Sequence, residues 1–290
     1  MAEVAGQLRA IGYQVEDRGD VPAPPVVAGE VRREGINNFD PLLSSLTSVR
    51  ERVTACIGAG RTPLVLGGDH SIAIATIAAA RSAFGETLGV LWIDAHADLN
   101  TPDTSPSMNL HGMPLGLVCG YEIERGSNIA KEQWQKLRQA MIPEGPVSTQ
   151  RCFWLGLREI DPGEAERLRR DCQGRFFTMH DIDRDSMPEA ADKLCGGMKA
   201  AGITHLWISF DVDVLDPFVA PGVGTGVRGG LTYREAHLLA EVLFERIASE
   251  NEMQLAGVDV CEVNPLLDKS NETALIAAEW LSSLFGKRIV

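Results

Sequence analysis

Short apolar runs that do not alternate with polar residues punctuate this chain, and amphipathic stretches lie between them. Residues 64–66, 89–93 and 205–210 are continuous in hydrophobicity and rich in β-branched or aromatic side chains. That is the pattern of strands buried on both faces of a parallel sheet. Further strands are predicted near 13–16, 151–155, 176–179 and 254–260, and helices at about 3–11, 39–57 and 72–83, with a Pro-rich connection at 21–27. The helix after Gly230 is the best marked. Thr232 and Glu235 make a capping-box pattern, and Ala236, Leu239, Ala240, Leu243 and Ile247 then recur at helical spacing as a stripe that packs on a sheet. Strands alternating with helices, without a repeat or low-complexity tract, predict an α/β fold: three layers, α/β/α, around a mostly parallel sheet. A chain of 290 residues has material for one large core, so residues 1–290 read as one domain.

Composition narrows the function classes. A 44% hydrophobic, 23% charged chain is an ordinary globular sequence. Its net charge of −13 and pI near 4.9 count against a nucleic-acid partner or an anionic membrane surface and lean toward a cationic small molecule. The cysteines (Cys56, Cys119, Cys152, Cys172, Cys195 and Cys261) are scattered without a CxxC pair. They read as thiols of a reducing compartment, hence a cytoplasmic protein. No apolar run is long enough to span a bilayer, and no secretory h-region opens the chain.

The candidate chemistry lies at the ends of three predicted strands. His70 follows one in LVLGGDHS; Asp94, His96 and Asp98 follow another in GVLWIDAHADLN; Asp211 and Asp213 follow a third in LWISFDVDVLDP. In an extended chain residues at i, i+2 and i+4 point the same way, so each group shares a face if the extended conformation persists past the apolar run. Open parallel sheets bind ligands outside the carboxyl ends of their strands, where all six residues fall. Alone, GGDH reads as a tight turn with a capping residue, and FDVDVLDP as a calcium-like loop or a capped turn. DAHAD is different: three ionisable residues directly off a buried strand have no packing explanation. Four clustered carboxylates repel one another, and two divalent cations balance their charge. Oxygen and imidazole donors without a thiolate favour two Mn²⁺ over a Cys-bound structural zinc, with catalytic zinc, iron, cobalt and nickel left open. Carboxylates that bridge two ions prepare a shared water to become a nucleophile near neutral pH. His180, His205 and His237 read as structural.

In order and spacing, GGDHS (67–71), DAHADLNTPDTSPSMNLHGMP (94–114), GLREIDPGE (156–164), SFDVDVLDP (209–217), GTGVRGGLTYRE (224–235) and DVCEVNP (259–265) resemble the ureohydrolases, and within them the arginases. The likeness runs from about residue 8 to the end and implies the arginase/deacetylase-like fold with a binuclear manganese centre. By resemblance, one ion takes His70, Asp94, Asp98 and Asp211, and the other takes Asp94, His96, Asp211 and Asp213. The implied reaction is hydrolysis of L-arginine to L-ornithine and urea by a metal-bridging hydroxide. Asp98 assists the proton transfer, His111 is the proton shuttle and Glu262 grips the substrate guanidinium. Asn100, Ser105, Ser107 and Asn109 form the loop for the α-carboxylate, Asp161 takes the α-ammonium with Glu164 behind it, and Thr225 joins the substrate-binding set. Agmatine lacks a carboxylate and needs no such loop. Two alternatives stay open: another guanidino-substrate amidinohydrolase such as an agmatinase, or an inactive paralogue serving as a partner subunit, against which the full set of ligands speaks.

Relative to the family, the chain is expected to open near the first helix, without the opening strand and Gly-rich loop, leaving a gap in the sheet. Met108 replaces a small residue, and Glu159 stands where Asp is usual. The last helix is followed by no long tail. Arg234 and Glu235 match a subunit-contact pair, so a homotrimer or homohexamer is expected.

Overall fold

In the computed structural model, which describes residues 2–23, 34–249 and 253–288, the side chains of each central strand divide between two apolar cores. Val90 and Trp92 enter one, while Leu91 and Ile93 enter the other, as the two-residue repeat of a strand requires. The strands are β1 (Leu64–Leu66), β2 (Leu88–Ile93), β3 (Cys152–Leu157), β4 (Phe176–Thr178), β5 (His205–Asp211) and β6 (Gln254–Cys261). They form one sheet in the order β1-β6-β5-β2-β3-β4, parallel throughout.

The helices among the described residues are α1 (Ala2–Ala10), α2 (Phe39–Gly58), α3 (Ala73–Phe84), α4 (Pro114–Val118), α5 (Asn128–Met141), α6 (Pro162–Asp171), α7 (Met179–Asp185), α8 (Met187–Ala200), α9 (Tyr233–Ser249) and α10 (Glu272–Leu284). α1 and α7 to α10 cover one face of the sheet, and α2 to α6 the other. Thr232 and Glu235 cap α9 reciprocally: the Thr232 N–H donates to Glu235 Oε2 at 2.8 Å, and the Glu235 N–H donates to Thr232 Oγ1 at 3.3 Å. None of these helices is long and apolar enough to cross a membrane.

The order of strands places the site. From β2 the chain moves outward through β3 and β4, then returns at β5 on the other side of β2. Connections diverge on either side of β2, and such a switch point opens a crevice at the carboxyl ends of the strands. One predicted element differs. Residues 13–16, expected as a strand, carry no regular structure, and the sheet offers them no bonded neighbour. The segment is held instead by Tyr13 edge-on against Phe285 at 5.2 Å between ring centroids, and by Arg9 Nη2 donating to the Val15 carbonyl at 2.9 Å. An extended segment becomes a strand only by pairing. The predicted 21–27 connection falls largely outside the described residues.

At Gly156 β3 packs against the Asp94 backbone. The Gly156 φ is +100°, and the register shifts between Leu155 and Leu157. A Cβ there would press on Val214 and stand 3.1 Å from the Asp94 carbonyl. Gly156→Ala combines a disfavoured backbone with overpacking, so it is expected to lower unfolding free energy by about 2 kcal/mol or more. A urea titration with an unchanged midpoint contradicts this account of the bulge.

Candidate metal centre

The ends of β1, β2 and β5 bring His70, Asp94, His96, Asp98, Asp211 and Asp213 together, though not by continuing the strands. The chain bends at 94–96, Asp98 has φ +50°, and Val212–Val214 is a turn of 3-10 helix. The pleat therefore does not align these side chains, and the expectation of a shared extended face is corrected. In its place the same local device appears twice. Asp94 Oδ1 accepts the His96 N–H at 2.7 Å, and Asp211 Oδ1 accepts the Asp213 N–H at 2.7 Å. A carboxylate that caps its own chain two residues on makes a tight turn, and each turn swings the following side chain back toward the first.

Two groups result, with Asp94 in both. His70 Nδ1 lies 3.0 Å from Asp94 Oδ2, 3.1 Å from Asp211 Oδ2 and 3.5 Å from Asp98 Oδ2. His96 Nδ1 lies 3.3 Å from Asp94 Oδ1 and 3.1 Å from Asp213 Oδ2. The donor atoms of His70, Asp94 and Asp211 are close enough to converge on one ion, and those of Asp94, His96 and Asp213 on another; Asp98 joins the first set through His70. His96 is half-buried and the others are buried.

The electrostatics of these side chains call for positive charge between them. Burial and the neighbouring Asp94 push the Asp98 carboxyl well above the ordinary carboxylate range. Burial, Asp213 and Asp94 do the same to Asp211, and burial and Asp94 raise Asp213. Burial lowers the basicity of both imidazoles, but the carboxylates outweigh it. Asp211 and Asp94 raise His70 well above normal, and Asp213 and Asp94 carry His96 to about 12. Burial would raise Asp94, yet the two imidazoles hold it low. Left to themselves the groups gather protons, which occupy the place a cation would fill. His70 Nδ1 and Asp94 Oδ2 point the same way: both are buried, and neither has a hydrogen-bond partner among the described residues. The donor set fits two divalent cations.

The tautomer of His70 is fixed from behind. Fully buried Asp259 accepts hydrogen bonds from Thr76 Oγ1 at 2.6 Å, Trp207 Nε1 at 2.7 Å and Ser209 Oγ at 2.5 Å. An indole N–H only donates and a carboxylate only accepts. The single Ser209 proton therefore goes to Asp259, and Ser209 Oγ accepts from His70 Nε2 at 2.9 Å. In the neutral ring this leaves the Nδ1 lone pair facing the carboxylates, as a metal ligand requires. Across the site His96 Nε2 has Glu159 at 3.5 Å.

Around this centre, Glu262 at the end of β6 has φ +67°. Its N–H donates to the Gly68 carbonyl, and its Oε1 accepts the His70 N–H, both at 2.8 Å. His111 Nδ1 stands 3.6 Å from the same oxygen. That carboxylate raises the His111 pKa against the effect of burial. In turn, burial would raise Glu262, but His111 and the His70 N–H hold it low, so Glu262 is anionic.

Asn100 Nδ2 donates to Asp161 Oδ2 at 2.8 Å. Glu164 accepts the N–H groups of Leu99 at 3.0 Å and Asp161 at 2.9 Å, tying α6 to the loop after β2; burial pushes its carboxyl up to about 7. Ser105 Oγ accepts the Met108 N–H and Ser107 Oγ the Asn109 N–H, while Ser107 and Asn109 are exposed at the rim. Thr225 donates to Asp213 Oδ2 at 2.8 Å, which puts its hydroxyl on a ligand of the centre.

Several residues outside the candidate set support the site. Ser209 and Asp259 sit inside recognised motifs, but nothing in their spacing shows that β5 and β6 are neighbours. Arg158 donates to the carbonyls of Gly156, Asp213, Val214, Leu215 and Val227, pinning the loop after β5. A lone arginine in a loop carries no signal of that role.

Comparison with known proteins agrees with this geometry. A family model described as "Arginase family" matches residues 3–286. A protein named arginase from Bacillus subtilis (strain 168) is 38% identical over 290 residues, covering 100% of this chain and 90% of the relative. Another, from Staphylococcus aureus (strain COL), is 35% identical over 295 residues, covering 100% and 89%. The solved native structure of the arginase from Bacillus caldovelox has a TM-score of 0.87 and 35% identity, covering 99% of this chain and 90% of that one. With the match running along nearly its whole length and the buried His/Asp clusters at the switch point of its sheet, the chain belongs to the arginase family of ureohydrolases.

Proposed function

We propose that this chain, acting as one domain, hydrolyses L-arginine to L-ornithine and urea with two Mn²⁺ at the centre. The observation that carries the reading is the Asp94 carboxylate held between two imidazole Nδ1 atoms, each backed by further carboxylates. His70, Asp94, Asp98 and Asp211 would hold one ion, and Asp94, His96, Asp211 and Asp213 the other. Bound there, two divalent cations supply the Lewis acidity that makes water a nucleophile near neutral pH.

The protein groups supply positioning and proton transfer. Anionic Glu262 pairs with the planar guanidinium, a charge-assisted contact that turns its carbon toward the centre. Asp98, buried 3.5 Å from His70 Nδ1, takes up the proton of the attacking water. The C–N bond breaks as the leaving amine is protonated, and His111, which Glu262 raises in basicity, relays protons between that amine and solvent. Asn100, Ser105, Ser107 and Asn109 offer amide and hydroxyl donors to the α-carboxylate, and Asp161 accepts from the α-ammonium. Glu164 positions Asp161, and Thr225 positions Asp213.

Urea release assayed with both substrates is expected to give a kcat/KM for L-arginine about 10²-fold above that for agmatine, since agmatine leaves the carboxylate donors unpaired. Faster turnover of agmatine overturns the assignment of L-arginine. Asp211→Ala is expected to lose bound metal and all activity. His111→Ala should keep the metal content of the parent and lose about 10²–10⁴-fold in turnover. Metal analysis of the two purified variants checks this, and equal metal loss in both refutes the shuttle role of His111.

A further inference from the structure

The short segment that leads into α2 is clamped at both ends. The Ile36 N–H donates to Gln133 Oε1 of α5 at 2.8 Å, and Ile36 is fully buried. Gly35 lies so near the same side chain that a Cβ would come within 2.7 Å of it. Between this anchor and the start of α2 sits Asn37, itself buried at 8% exposure.

Among the described residues Asn37 donates three hydrogen bonds, all to residues 107–109, some 70 positions away. Its N–H donates to the Met108 carbonyl at 3.0 Å. Its Nδ2 donates to the Ser107 carbonyl at 3.0 Å and to Asn109 Oδ1 at 2.8 Å. The orientation of both amides follows from donor and acceptor chemistry. A backbone carbonyl only accepts, so the Asn37 atom facing Ser107 is nitrogen. The same nitrogen faces Asn109, whose atom there must be oxygen. Asn109 is exposed at the rim, with its NH₂ turned away from Asn37. Met108 has φ +59°, a conformation that persists only where the surroundings hold it, and the Asn37 bond to its carbonyl is one such hold.

We propose that Asn37 is a specificity-positioning residue. It fixes Ser107 to Asn109 and turns the Asn109 NH₂ toward the substrate carboxylate without touching substrate itself. This inference rests on the L-arginine reading above.

The test is steady-state urea release from L-arginine and from agmatine by the metal-loaded parent, Asn37→Ala, Asn37→Asp, Asn109→Ala and the Asn37→Ala/Asn109→Ala double variant. Asn37→Ala is expected to raise KM for L-arginine about tenfold, with kcat within about twofold and metal content unchanged. Its kcat/KM for agmatine, which has no carboxylate, should stay at the parent value. Because both residues act through one contact, the double variant should be no worse than Asn109→Ala alone. Asn37→Asp keeps the volume but replaces the donor with an acceptor, which invites the Asn109 NH₂ to turn back, so its KM for L-arginine should exceed that of Asn37→Ala. Agmatine turnover and a cooperative thermal melt report folding in each variant, and Asn37→Asp serves if Asn37→Ala does not fold. An unchanged arginine KM in the Asn37 variants, with a raised one in Asn109→Ala, overturns the positioning role and leaves the arginine reading standing. If Asn109→Ala changes arginine and agmatine alike, the carboxylate loop itself fails, and this inference with it.

Discussion

Asp94, Asp98, Asp211 and Asp213 are buried together with His70, and His96 completes the set at the edge of solvent. Desolvated carboxylates at this spacing repel one another, and two imidazoles cannot neutralise them while serving as ligands. The pKa directions express that constraint. Burial and neighbouring carboxylates raise Asp98 and Asp211, the carboxylates raise both imidazoles against burial, and Asp94, which lies against both imidazoles, falls. Positive charge at two neighbouring positions relieves all of these at once.

Much of the surrounding structure serves to hold that unfavourable arrangement ready. The parallel sheet aims the ends of β1, β2, β5 and β6 at one crevice. Gly156 lets β3 approach the Asp94 carbonyl, and Arg158 collects the carbonyls of the loop after β5. Asp259 and Ser209 lock the His70 ring with its lone pair inward. Left-handed backbone at Asp98, Met108 and Glu262 falls on three segments that carry site chemistry. Such conformations cost energy and persist where the surroundings over-determine them. Here the restraints are visible: the Glu262 N–H on the Gly68 carbonyl, and Asn37 on the Met108 carbonyl.

Buried strands with continuous hydrophobicity were legible because water contacts neither face, as at β2, which is buried at every position; residues 64–66 fall on the half-buried edge strand β1 with the same bounds. The Thr232–Glu235 pair was legible because capping is local. The strand expected at 13–16 failed because pairing depends on a neighbour the local pattern cannot supply. Side-chain alignment by pleat failed for the related reason that Asp94 and Asp211 hydrogen-bond their own backbone, and this local bond replaces extension by a turn. The candidate ligands could be named from residue type and position at strand ends. Their supports could not. Asn37, Ser209 and Asp259 act across 72, 139 and 50 positions of chain, and such contacts become visible only once the sheet order is known.

The most direct measurement is anomalous diffraction from crystals of this chain grown with Mn²⁺. The account predicts two peaks about 3.5–4 Å apart on either side of Asp94, one within bonding distance of His70 Nδ1 and the other of His96 Nδ1. A single peak, or none, with the six side chains in the positions described here contradicts it.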